Sequence, residues 1–565
     1  MDNTIDFKLP IYYIESKNKL DDTIIDDLEL IKSKDISGIS LYDDLLQTDN
    51  FIGNKTAHMW SNYYSHDKIF LENTQDLIQN FKTFDCDENC LKNCLTNWEM
   101  IHNDDVFLDR YQYIDLPYVR KYNNSTTVLH FYSMYNLSSP VISLISPIFA
   151  LIIPFFILKL KGVPITIQGY QDVLINMMKN STIGKLFTDF THRRWDQQLS
   201  LLVSAGLYIF GIYQNIIACY KFYININKIT DTFKNIKNFI EYTNQRINDY
   251  ILVSNKLNKY QKFNEKLIDH QVKLNKFYNK LTTVNIECIT VYKIKQIGCI
   301  MKYFYDLKYN IDVISSINYM FYFHGYLDNI QSLKNKVDNK QLSFCKYSNK
   351  STKFKNSYYG LLKNENVVKN SYHFKKHHVI TGPNAAGKTT LLKSTLFNII
   401  LSQQMGCGFY ENANINMYHY IHCYLNIPDT SGRDSLFQAE ARRCKEILDK
   451  INKLPNKRHF CIFDELYSGT NPSDAVDSAY SFLSYLTKFK NINFILTTHY
   501  VDLCEKLDLN KTIENKNMKI INTNNDIIYT YKLTKGICKI KGGNKILKDL
   551  GYPDEIIKDK GNTLN

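Results

Sequence analysis

Glycine, lysine and threonine stand at the spacing of a phosphate-binding loop in the segment HHVITGPNAAGKTTLLKSTLFNIIL. The segment fits the pattern G-x-x-x-x-G-K-[ST], in which backbone N–H groups surround the phosphates of a nucleotide. Lys388 is expected to reach the β- and γ-phosphates, and the Thr389 hydroxyl is expected to bind Mg²⁺. The predicted nucleotide-binding residues are Gly382, Pro383, Asn384, Ala385, Ala386, Gly387, Lys388, Thr389 and Thr390. The segment therefore predicts ATP and Mg²⁺ as cofactors.

Two acidic residues and a histidine follow apolar runs further along the chain. In HFCIFDELYSGT the run Phe460–Phe463 precedes Asp464 and Glu465, the arrangement of a buried strand that ends in two acids. Asp464 is expected to hold the magnesium ion, and Glu465 to orient and deprotonate the attacking water. In NFILTTHY, His499 follows a further apolar run, where its imidazole can sense the γ-phosphate and stabilise charge. Lys388, Glu465 and His499 are therefore the predicted catalytic residues.

Strand–loop–helix units are required to position these residues. We predict a strand that ends at Thr381, a loop over Gly382–Lys388 and a helix that begins near Thr389. Asn493–Thr498 is predicted as another strand. The predicted fold class of residues 357–565 is therefore an α/β P-loop ATPase.

Length and composition exclude several classes of protein. A chain of 565 residues exceeds a single compact core and predicts several domains. Its 44% hydrophobic and 22% charged residues exclude a largely disordered protein, and its 21 Gly and 11 Pro exclude a collagen-like one. The net charge of +13 favours nucleic acid or an anionic membrane as a partner. Thirteen scattered cysteines, with no apolar signal sequence over Met1–Pro10, predict an intracellular, reducing compartment of cytoplasmic type.

Two uncharged apolar stretches precede the predicted ATPase. Leu137–Leu158 and Leu199–Tyr220 are each long enough to cross a bilayer, which requires about 20 residues. Basic residues lie on both sides of the pair, so the positive-inside rule gives no orientation. The alternative is a pair of buried helices in a soluble domain, because Pro147 and Pro154 would kink the first helix. The sequence thus predicts a mainly α-helical region with two apolar helices that either cross a membrane or lie in a core.

The helical middle of the chain carries most of the basic excess. Apolar residues recur at helical spacing from Lys221 to about Leu281, as long packed helices require, and a polar linker is predicted over Asn335–Asn356. Lys221–Lys340 holds 19 Lys and Arg against 10 Asp and Glu, a net charge of +9. Such a surface would bind nucleic acid through phosphate contacts without reading its sequence. The alternative is a solvated helical face.

The C-terminal motifs resemble those of the MutS mismatch-repair family, a branch of the ABC-type ATPases. TGPNAAGKTT is similar to the family's TGPN-x-x-GK-[ST]-T loop, FDELYSGTNPSDA to its DE-x-x-x-GT-x-x-x-D-[GA] block, and TTHY to its ATHY-type switch. DTSGRDSLFQAEARRCKEIL resembles the family's signature segment, with Ser435, Phe437 and Glu440 at its positions. Leu436 stands where the family usually has Thr, and Gln438 where it usually has Met.

The resemblance covers roughly Asn366–Lys560 and includes a segment around Gly551, Tyr552 and Pro553 that is similar to the family's terminal helix-turn-helix. It implies a homodimer, or a heterodimer with a related ATPase. In such a dimer, Ser435 of one subunit binds the nucleotide held by the loop of the other. The resemblance also implies double-stranded DNA as a partner.

Four consecutive segments make up the predicted domain layout. Residues 1–130 form a mixed, helical N-terminal domain that is weakly similar to the MutS core, and 131–220 hold the apolar helical pair. Residues 221–345 resemble the family's lever and clamp, and 357–565 its ATPase domain with helix-turn-helix. The N-terminal part is too short for the family's mismatch-binding domain. Val367 lies near the position of the family's adenine-contacting aromatic residue.

Two functions that use ATP turnover are compatible with these observations, beside a catalytically slow scaffold in which ATP only controls assembly. The first is a MutS-like ATPase that couples ATP hydrolysis to clamping of DNA, in mismatch repair or related DNA maintenance. The second is a membrane-anchored, ABC-like ATPase that acts on a membrane complex without binding DNA. Salt-dependent DNA binding would separate the two, because affinity that depends on phosphate contacts falls steeply as salt rises.

Overall fold

The computed structural model describes residues 6–35, 38–47, 51–83, 87–160, 162, 166–180, 194–284, 291–362, 367–425, 435–523, 526–540, 547 and 550–553. The chain forms two compact units. The first comprises Met1–Phe84, Arg246–Asp269 and Asn318–Asn565, and the second Asp85–Gln245 and His270–Ile317. The chain therefore enters each unit more than once, which differs from the predicted order of four consecutive segments.

Helices provide most of the regular structure before residue 340. The helices are α1 (Asp22–Asp27), α2 (Leu41–Leu46), α3 (Phe51–Met59), α4 (Lys68–Asn80), α5 (Glu88–His102), α6 (Phe107–Arg110), α7 (Thr126–Leu160), α8 (Ile167–Asn180), α9 (Trp195–Ser254), α10 (Gln261–Thr282), α11 (Val291–Tyr309), α12 (Ile311–Asp338), α13 (Lys388–Ser402), α14 (Leu436–Lys453), α15 (Pro472–Leu486) and α16 (Val501–Asp508). Short 3₁₀ helices lie at Pro10–Tyr13, Trp60–Asn62, Arg120–Asn124 and Asn258–Tyr260.

Strands occur in the first unit, where they form three sheets among the described residues. The strands are β1 (Lys17–Lys19), β2 (Tyr63–Ser65), β3 (Ser343–Tyr347), β4 (Lys353–Ser357), β5 (Asn370–His373), β6 (His377–Thr381), β7 (Cys407–Gly408), β8 (Asn412–Ile415), β9 (Tyr420–Tyr424), β10 (His459–Asp464), β11 (Ile492–Thr498), β12 (Ile513–Thr523) and β13 (Asp526–Lys535). The sheet orders are β1-β2, β13-β12-β6-β11-β10-β9 and β5-β4-β8-β3-β7.

The six-stranded sheet positions the predicted site. Strands β9, β10, β11, β6 and β12 run parallel, and β13 pairs antiparallel with β12. All five residues of β6 are buried, as is usual for a strand covered on both faces. In the register, Thr381 lies opposite Thr498, and Asp464 lies opposite Thr497. The carboxyl ends of β6, β10 and β11 therefore meet at one edge, where open α/β sheets bind ligands.

An apolar core joins this sheet to α14, α15 and α16. It includes Val379 on β6, Phe463 on β10 and Leu496 on β11, packed in one cluster with Ile447 on α14 and Leu483 on α15. Each of these side chains is at most 1% exposed. Burial of each large side chain contributes about 1.5–3 kcal/mol, so this cluster fixes the strand ends that carry the predicted site.

Two buried glutamines join N-terminal residues to the end of α13. Gln404 Nε2 donates to the carbonyls of Trp60 (2.7 Å) and Tyr63 (2.9 Å), and its Oε1 accepts from the Tyr42 hydroxyl (2.6 Å). Gln404 and its neighbour Gln403 are both 0% exposed. A buried amide without such partners would cost about 1–3 kcal/mol, so the pairing is strongly specified. These long-range hydrogen bonds help to place the N-terminal residues in the same unit as the C-terminal sheet.

In the second unit, α7 and the first part of α9 lie side by side. Asn215 Nδ2 donates to Ser143 Oγ (2.6 Å), and the Tyr208 hydroxyl donates to the Ser143 carbonyl (2.9 Å). The Cys219 thiol contacts the Leu137 carbonyl at 3.8 Å. Because later residues of α9 meet earlier residues of α7, the two helices form an antiparallel hairpin. Within the described residues one helix, α9, is long and apolar enough to cross a membrane by length and composition.

Several sequence predictions about secondary structure have clear outcomes. The predicted strand end at Thr381 and the helix that follows the loop are confirmed. The predicted linker over Asn335–Asn356 is wrong: α12 continues to Asp338, and β3 and β4 fill half of the remainder. Most of the predicted C-terminal helix-turn-helix, including 554–565, lies outside the described residues.

Candidate functional site

The loop between β6 and α13 turns sharply into the helix. Ala385 and Gly387 have φ angles of +64° and +87°, in the left-handed region that favours glycine. A Cβ atom at Gly387 would also lie 3.0 Å from the Tyr531 ring, so a side chain there would be both strained and crowded. The loop leads into the 15-residue helix α13. Its first N–H groups and the helix dipole together favour an anion at this position.

The Lys388 side chain folds back over the loop. Its Nζ donates to the carbonyls of Gly382 (2.8 Å) and Pro383 (3.2 Å) and lies 3.7 Å from Glu465 Oε1. Burial lowers the pKa of Lys388, while the charges of Glu465 and Asp464 act in the opposite direction. The residue is 6% exposed, so its ammonium group is a fixed positive charge inside the loop.

A threonine on each side holds the Asp464 carboxylate. Thr389 Oγ1 donates to Asp464 Oδ2 at 2.8 Å, and Thr497 Oγ1 donates to Oδ1. Burial raises the pKa of Asp464, and the hydrogen bonds from Thr497 and Thr389 oppose that effect. A hydroxyl and a carboxylate so close together are oxygen ligands of the kind that Mg²⁺ prefers. Thr389 and Asp464 are thus the residues that could hold a magnesium ion.

Glu465 lies between Lys388 and His499. His499 Nδ1 is 3.4 Å from Glu465 Oε1. The hydrogen bond from His499 lowers the pKa of Glu465 against the effect of burial, and the Lys388 charge acts in the same direction as His499. Glu465 and Tyr467 have positive φ angles, +49° and +60°. Such strained backbone persists where the surrounding structure holds it, and here it orients the carboxylate toward the loop.

A cavity of about 760 Å³ opens beside the loop. Its volume is within the range of small-molecule sites. Its lining includes Pro383, Asn384, Ala385, Gly387, Lys388, Thr389, Thr390, Asp464 and Glu465. The remaining lining is rich in apolar and aromatic side chains, including Tyr358, Tyr359, Leu362, Val367, Val368, Met518 and Tyr531. Charged groups for phosphates and flat apolar surfaces for a base therefore border one space.

Tyr531 is a lining residue that the sequence analysis missed. It lies on β13 with a φ of +55°, and its ring contacts the phosphate-loop glycine described above. Asn370 holds this strand, because its Nδ2 donates to the Tyr531 carbonyl (3.0 Å) and its Oδ1 accepts from the Leu533 N–H (2.8 Å). The sequence gives no local signal for this role, since Tyr531 reaches the cavity only through the pairing of β12 with both β6 and β13.

Comparisons with known proteins match the part of the chain that carries this geometry. Residues 378–565 match the family described as MutS domain V. A DNA mismatch repair protein MutS from Parabacteroides distasonis is 31% identical over 190 residues, which cover 33% of this chain and 21% of the relative. Proteins of the same name from Bacteroides thetaiotaomicron and Prochlorococcus marinus are 30% identical over 189 residues and 28% identical over 209 residues, respectively, covering 33% and 36% of this chain and 21% and 22% of the relatives.

Residues 378–565 thus form a domain similar to MutS domain V. The chain spans about a fifth of the length of these relatives. Lys388, Asp464, Glu465, His499 and Ser435 all lie inside the MutS domain, by which we mean residues 378–565. The cavity-lining residues between Ser357 and Asn370 precede this domain in the sequence.

In the MutS domain, Ser435 lies at the N-terminus of α14 and does not line the described cavity. The Gln438 N–H donates to Ser435 Oγ (3.3 Å), and the Ser435 N–H donates to Gln438 Oε1 (3.0 Å). This reciprocal pair is a capping box, which satisfies two N–H groups that a helix end otherwise leaves unpaired. Gln438, which stands where the family usually has Met, therefore stabilises the start of α14.

Glu440 ties α14 to the loop that follows the acid pair. It is 2% exposed, and its carboxylate accepts from the Ser468 N–H (3.1 Å), the Ser468 hydroxyl (2.8 Å) and the Gly469 N–H (3.2 Å). A Cβ atom at Gly469 would lie 2.7 Å from the backbone nitrogen of Phe437, so the close approach requires glycine. A shift of the N-terminus of α14 is thus linked directly to the residues beside Glu465.

The structure brings most of the predicted site residues together. Lys388, Thr389, Asp464 and Glu465 border the cavity, and His499, the residue after β11, contacts Glu465. Ser435 lies apart from them. Their chemical roles stay predictions.

Proposed function

We propose that this chain is a Mg²⁺-dependent ATPase with an ABC-type P-loop domain. The observation that carries the proposal is the meeting of Lys388, Asp464 and Glu465 beside a cavity of about 760 Å³ at the carboxyl edge of a parallel sheet. Fixed positive charge, backbone N–H groups and strand-terminal acids are what phosphoryl transfer requires, because its catalysis depends on positioning and charge stabilisation. The match of residues 378–565 to MutS domain V supports the same activity.

Magnesium fits the donors that the site offers. The described residues contain no group of three or more His, Cys, Asp or Glu side chains suited to a metal ion. Mg²⁺ rarely needs one, since it keeps several waters and binds through one or two protein oxygens together with phosphate oxygens. Thr389 and Asp464 supply those oxygens, and the bound ion would neutralise developing charge on the phosphates.

Each catalytic side chain has a separate task in this proposal. Lys388 holds the β- and γ-phosphates, and its present contacts with loop carbonyls mark the place that the nucleotide oxygens would take. Glu465 accepts the proton of the attacking water. His499 keeps Glu465 ionised and oriented through the contact of 3.4 Å.

Replacing His499 by alanine should raise the pKa of Glu465, because the hydrogen bond that lowers it is lost while burial remains. A base must be deprotonated to act, so the acid limb of kcat/KM for ATP hydrolysis should move to higher pH. The measurement is the pH profile of wild type, His499→Ala and His499→Asn. The asparagine variant keeps a hydrogen-bond donor and should show a smaller shift. An acid limb at the same pH in all three proteins would contradict the role of His499.

We propose further that Ser435 acts on the nucleotide of a second subunit. Two observations support this: Ser435 is exposed at a helix N-terminus, and it lies outside the cavity lining of its own subunit. A second copy, or a related ATPase, could bring that helix end to the phosphates, where its N–H groups favour an anion.

Mixing two inactive variants tests this arrangement. Lys388→Ala and Ser435→Arg each damage both sites of a pure dimer, whereas a mixed dimer has one doubly damaged site and one intact site. Random exchange at equal amounts should restore about a quarter of wild-type turnover, since half of the dimers are mixed. Dimers that form without any recovery of turnover would show that the sites are not shared.

We also propose double-stranded DNA as the partner, with ATP turnover controlling its retention. The relatives carry the name DNA mismatch repair protein, and Lys221–Lys340 has a net charge of +9. Among the described residues of this segment, Lys259 pairs with Asp67 and Lys266 with Asp6. These two carboxylates lie outside Lys221–Lys340, so the positive charge available to DNA is smaller than +9.

The test is DNA binding by the full chain at two salt concentrations, with and without Mg²⁺ and ATP. A protein that makes six to ten phosphate contacts loses about 10³–10⁵-fold in affinity between about 50 and 200 mM salt. Binding that is absent at low salt would remove the DNA proposal and leave the ATPase. Binding that ATP does not change would remove the coupling.

A further inference from the structure

Helix α9 changes its environment abruptly at residue 222. From Phe222 onward it is amphipathic and packed, with Ile229, Phe233 and Ile236 all 0% exposed. Before that point the helix is apolar and exposed: Leu207 and Ile209 are each 66% exposed. Only 6% of its most apolar 18-residue window is buried, whereas the core helix of a soluble protein is mostly buried. One half of α9 thus suits a protein core, and the other requires an apolar solvent.

Helix α7 makes the same change at the same level. Leu129 and Ser133 are 0% and 2% exposed, whereas Val141, Leu144 and Phe156 are 55–58% exposed. The contact between Leu137 and Cys219 sets the alignment of the two helices, so Ser133 and Phe222 lie at matching heights. On both helices, the change from buried to exposed apolar residues therefore occurs at the same height. Unrelated apolar patches on the two helices would not be aligned in this way.

Aromatic side chains mark this height. Tyr135 on α7 and Tyr220 on α9 are each 64% exposed, and Tyr223 is 46% exposed. Trp195, Arg194 and Lys159 stand at the opposite end of the hairpin. Tyrosine and tryptophan are enriched at both membrane–water interfaces, with basic side chains beyond them. The distribution along the hairpin is that of a bilayer-spanning element.

The length of the uncharged apolar stretches also matches a bilayer. Leu137–Leu158 and Leu199–Tyr220 contain no charged side chain. Twenty-two helical residues rise about 33 Å, close to the hydrocarbon thickness of about 30 Å. Polar groups within these stretches pair with each other: Asn215 donates to Ser143 Oγ, and the Tyr208 hydroxyl to the Ser143 carbonyl. Hydrocarbon demands such internal pairing, because it offers no hydrogen bonds.

Three prolines lie inside α7 and do not end it. Pro140, Pro147 and Pro154 repeat every seven residues within one continuous helix of 35 residues. Proline in the interior of a water-exposed helix costs about 3 kcal/mol, and it is more frequent in membrane helices than in soluble ones. The prolines therefore agree with the exposure pattern of the hairpin.

We propose that α7 from Tyr135 onward and α9 up to Tyr220 insert into a lipid bilayer as an antiparallel pair of helices. The occupant of the exposed apolar surface is the hydrocarbon of the bilayer. Because the helices are antiparallel, the two ends that enter the packed second unit, Ser133 and Phe222, lie on one side of the membrane. The opposite ends of the two helices, near Lys159 and Arg194, which we call the tip, lie on the other side. The chain is then an ATPase of the MutS family that works at a membrane surface.

Leucine-to-lysine substitutions at two sites of equal exposure test the proposal. Leu207 lies at the middle of the proposed span and Leu252 lies beyond it on the same helix, and both are 66% exposed. The full chain is expressed in bacteria, and the membranes are washed with alkaline carbonate. Wild type and Leu252→Lys should stay in the membrane pellet. Leu207→Lys should lower the ratio of inserted to released protein about 100-fold or more, because a central lysine is strongly unfavourable on insertion scales.

The other outcomes overturn the proposal. Release of folded wild type in carbonate would mean that protein, such as a second copy, covers the apolar surface. Equal behaviour of the two lysine variants would mean that Leu207 faces water.

A second measurement does not depend on the folding of a charged variant. Trp195 is 77% exposed, whereas Trp60 and Trp98 are each 1% exposed and belong to the packed parts of the chain. In vesicles of phosphatidylcholine brominated near the headgroup, the fluorescence of Trp195 should be quenched. Trp195→Phe should remove the quenchable part of the emission and leave the rest unchanged. Emission that brominated lipid does not alter in the wild-type protein would exclude insertion of the tip-proximal end of α9.

Discussion

Glu465→Gln is expected to lower the rate of ATP hydrolysis by about 10²–10⁴-fold, the usual contribution of a general base. The amide cannot accept the proton of the attacking water. Thr389 and Asp464 keep their contact of 2.8 Å in this variant, so Mg²⁺ and ATP should still bind. Glutamine has the same Cβ as glutamate, so the strain at φ +49° is unchanged and the substitution tests the acid alone. Single-turnover hydrolysis and nucleotide binding, measured together, give the result.

If the sites are shared between two subunits, ATP that is bound and not hydrolysed should hold the dimer together, so dimers should accumulate in this variant and light scattering would detect them. Glu446→Gln is the matched control, because Glu446 is exposed on α14, pairs with Arg443 and does not line the cavity. Its turnover should equal that of wild type. Unimpaired turnover by Glu465→Gln would show that another group takes the proton.

Lys388→Ala should reduce both nucleotide affinity and hydrolysis, with a fall in turnover of at least about 10²–10³-fold, the effect of losing one charge-stabilising donor. The lost ammonium group is 6% exposed and donates to two loop carbonyls, so its removal leaves no cation inside the loop. Binding of a fluorescent ATP analogue measures the affinity, and phosphate release measures turnover.

Lys393→Ala provides the comparison for this variant. Lys393 is on the same helix, forms an ion pair with Glu29 at 3.1 Å and lies outside the cavity lining. It should lose a surface ion pair worth about 0–1 kcal/mol and keep its nucleotide affinity. If the two variants bound ATP equally well, Lys388 would have no part in the site.

The chemistry of the loop and strand ends could be predicted because it is encoded locally. Gly387, Lys388 and Thr389 are consecutive, and Asp464 and Glu465 directly follow the apolar run of β10. Each group needs only its own strand or helix to be in place. Parallel pairing of β6, β11 and β10 then brings them to one edge.

The apolar and aromatic lining of the cavity could not be predicted, since it depends on pairing between strands that are distant in the sequence. Tyr531 reaches the loop because β13 pairs with β12, and β12 pairs with β6. The residues around Tyr531 in the sequence do not indicate that it lies near this loop. The linker predicted over Asn335–Asn356 was wrong for the same reason, because the strands in it depend on pairing with distant strands. Lys353–Ser357 (KFKNS) is polar except for Phe354, which is 0% exposed, and its strand character comes from pairing with β5 and β8.

Helix α13 connects the loop after β6 to residues near the N-terminus of the chain, and hydrogen bonds fix it to both. Its first residue, Lys388, carries the ammonium group inside the loop, and the segment after its last residue holds Gln404, bonded to Trp60 and Tyr63. Fifteen helical residues form a strut about 22 Å long. Packed elements shift as units rather than deform. If nucleotide binding moved the loop, the helix would therefore move with it and displace Trp60 and Tyr63 at its other end. Nucleotide occupancy would thus change the buried contacts around Gln404 without any change of secondary structure.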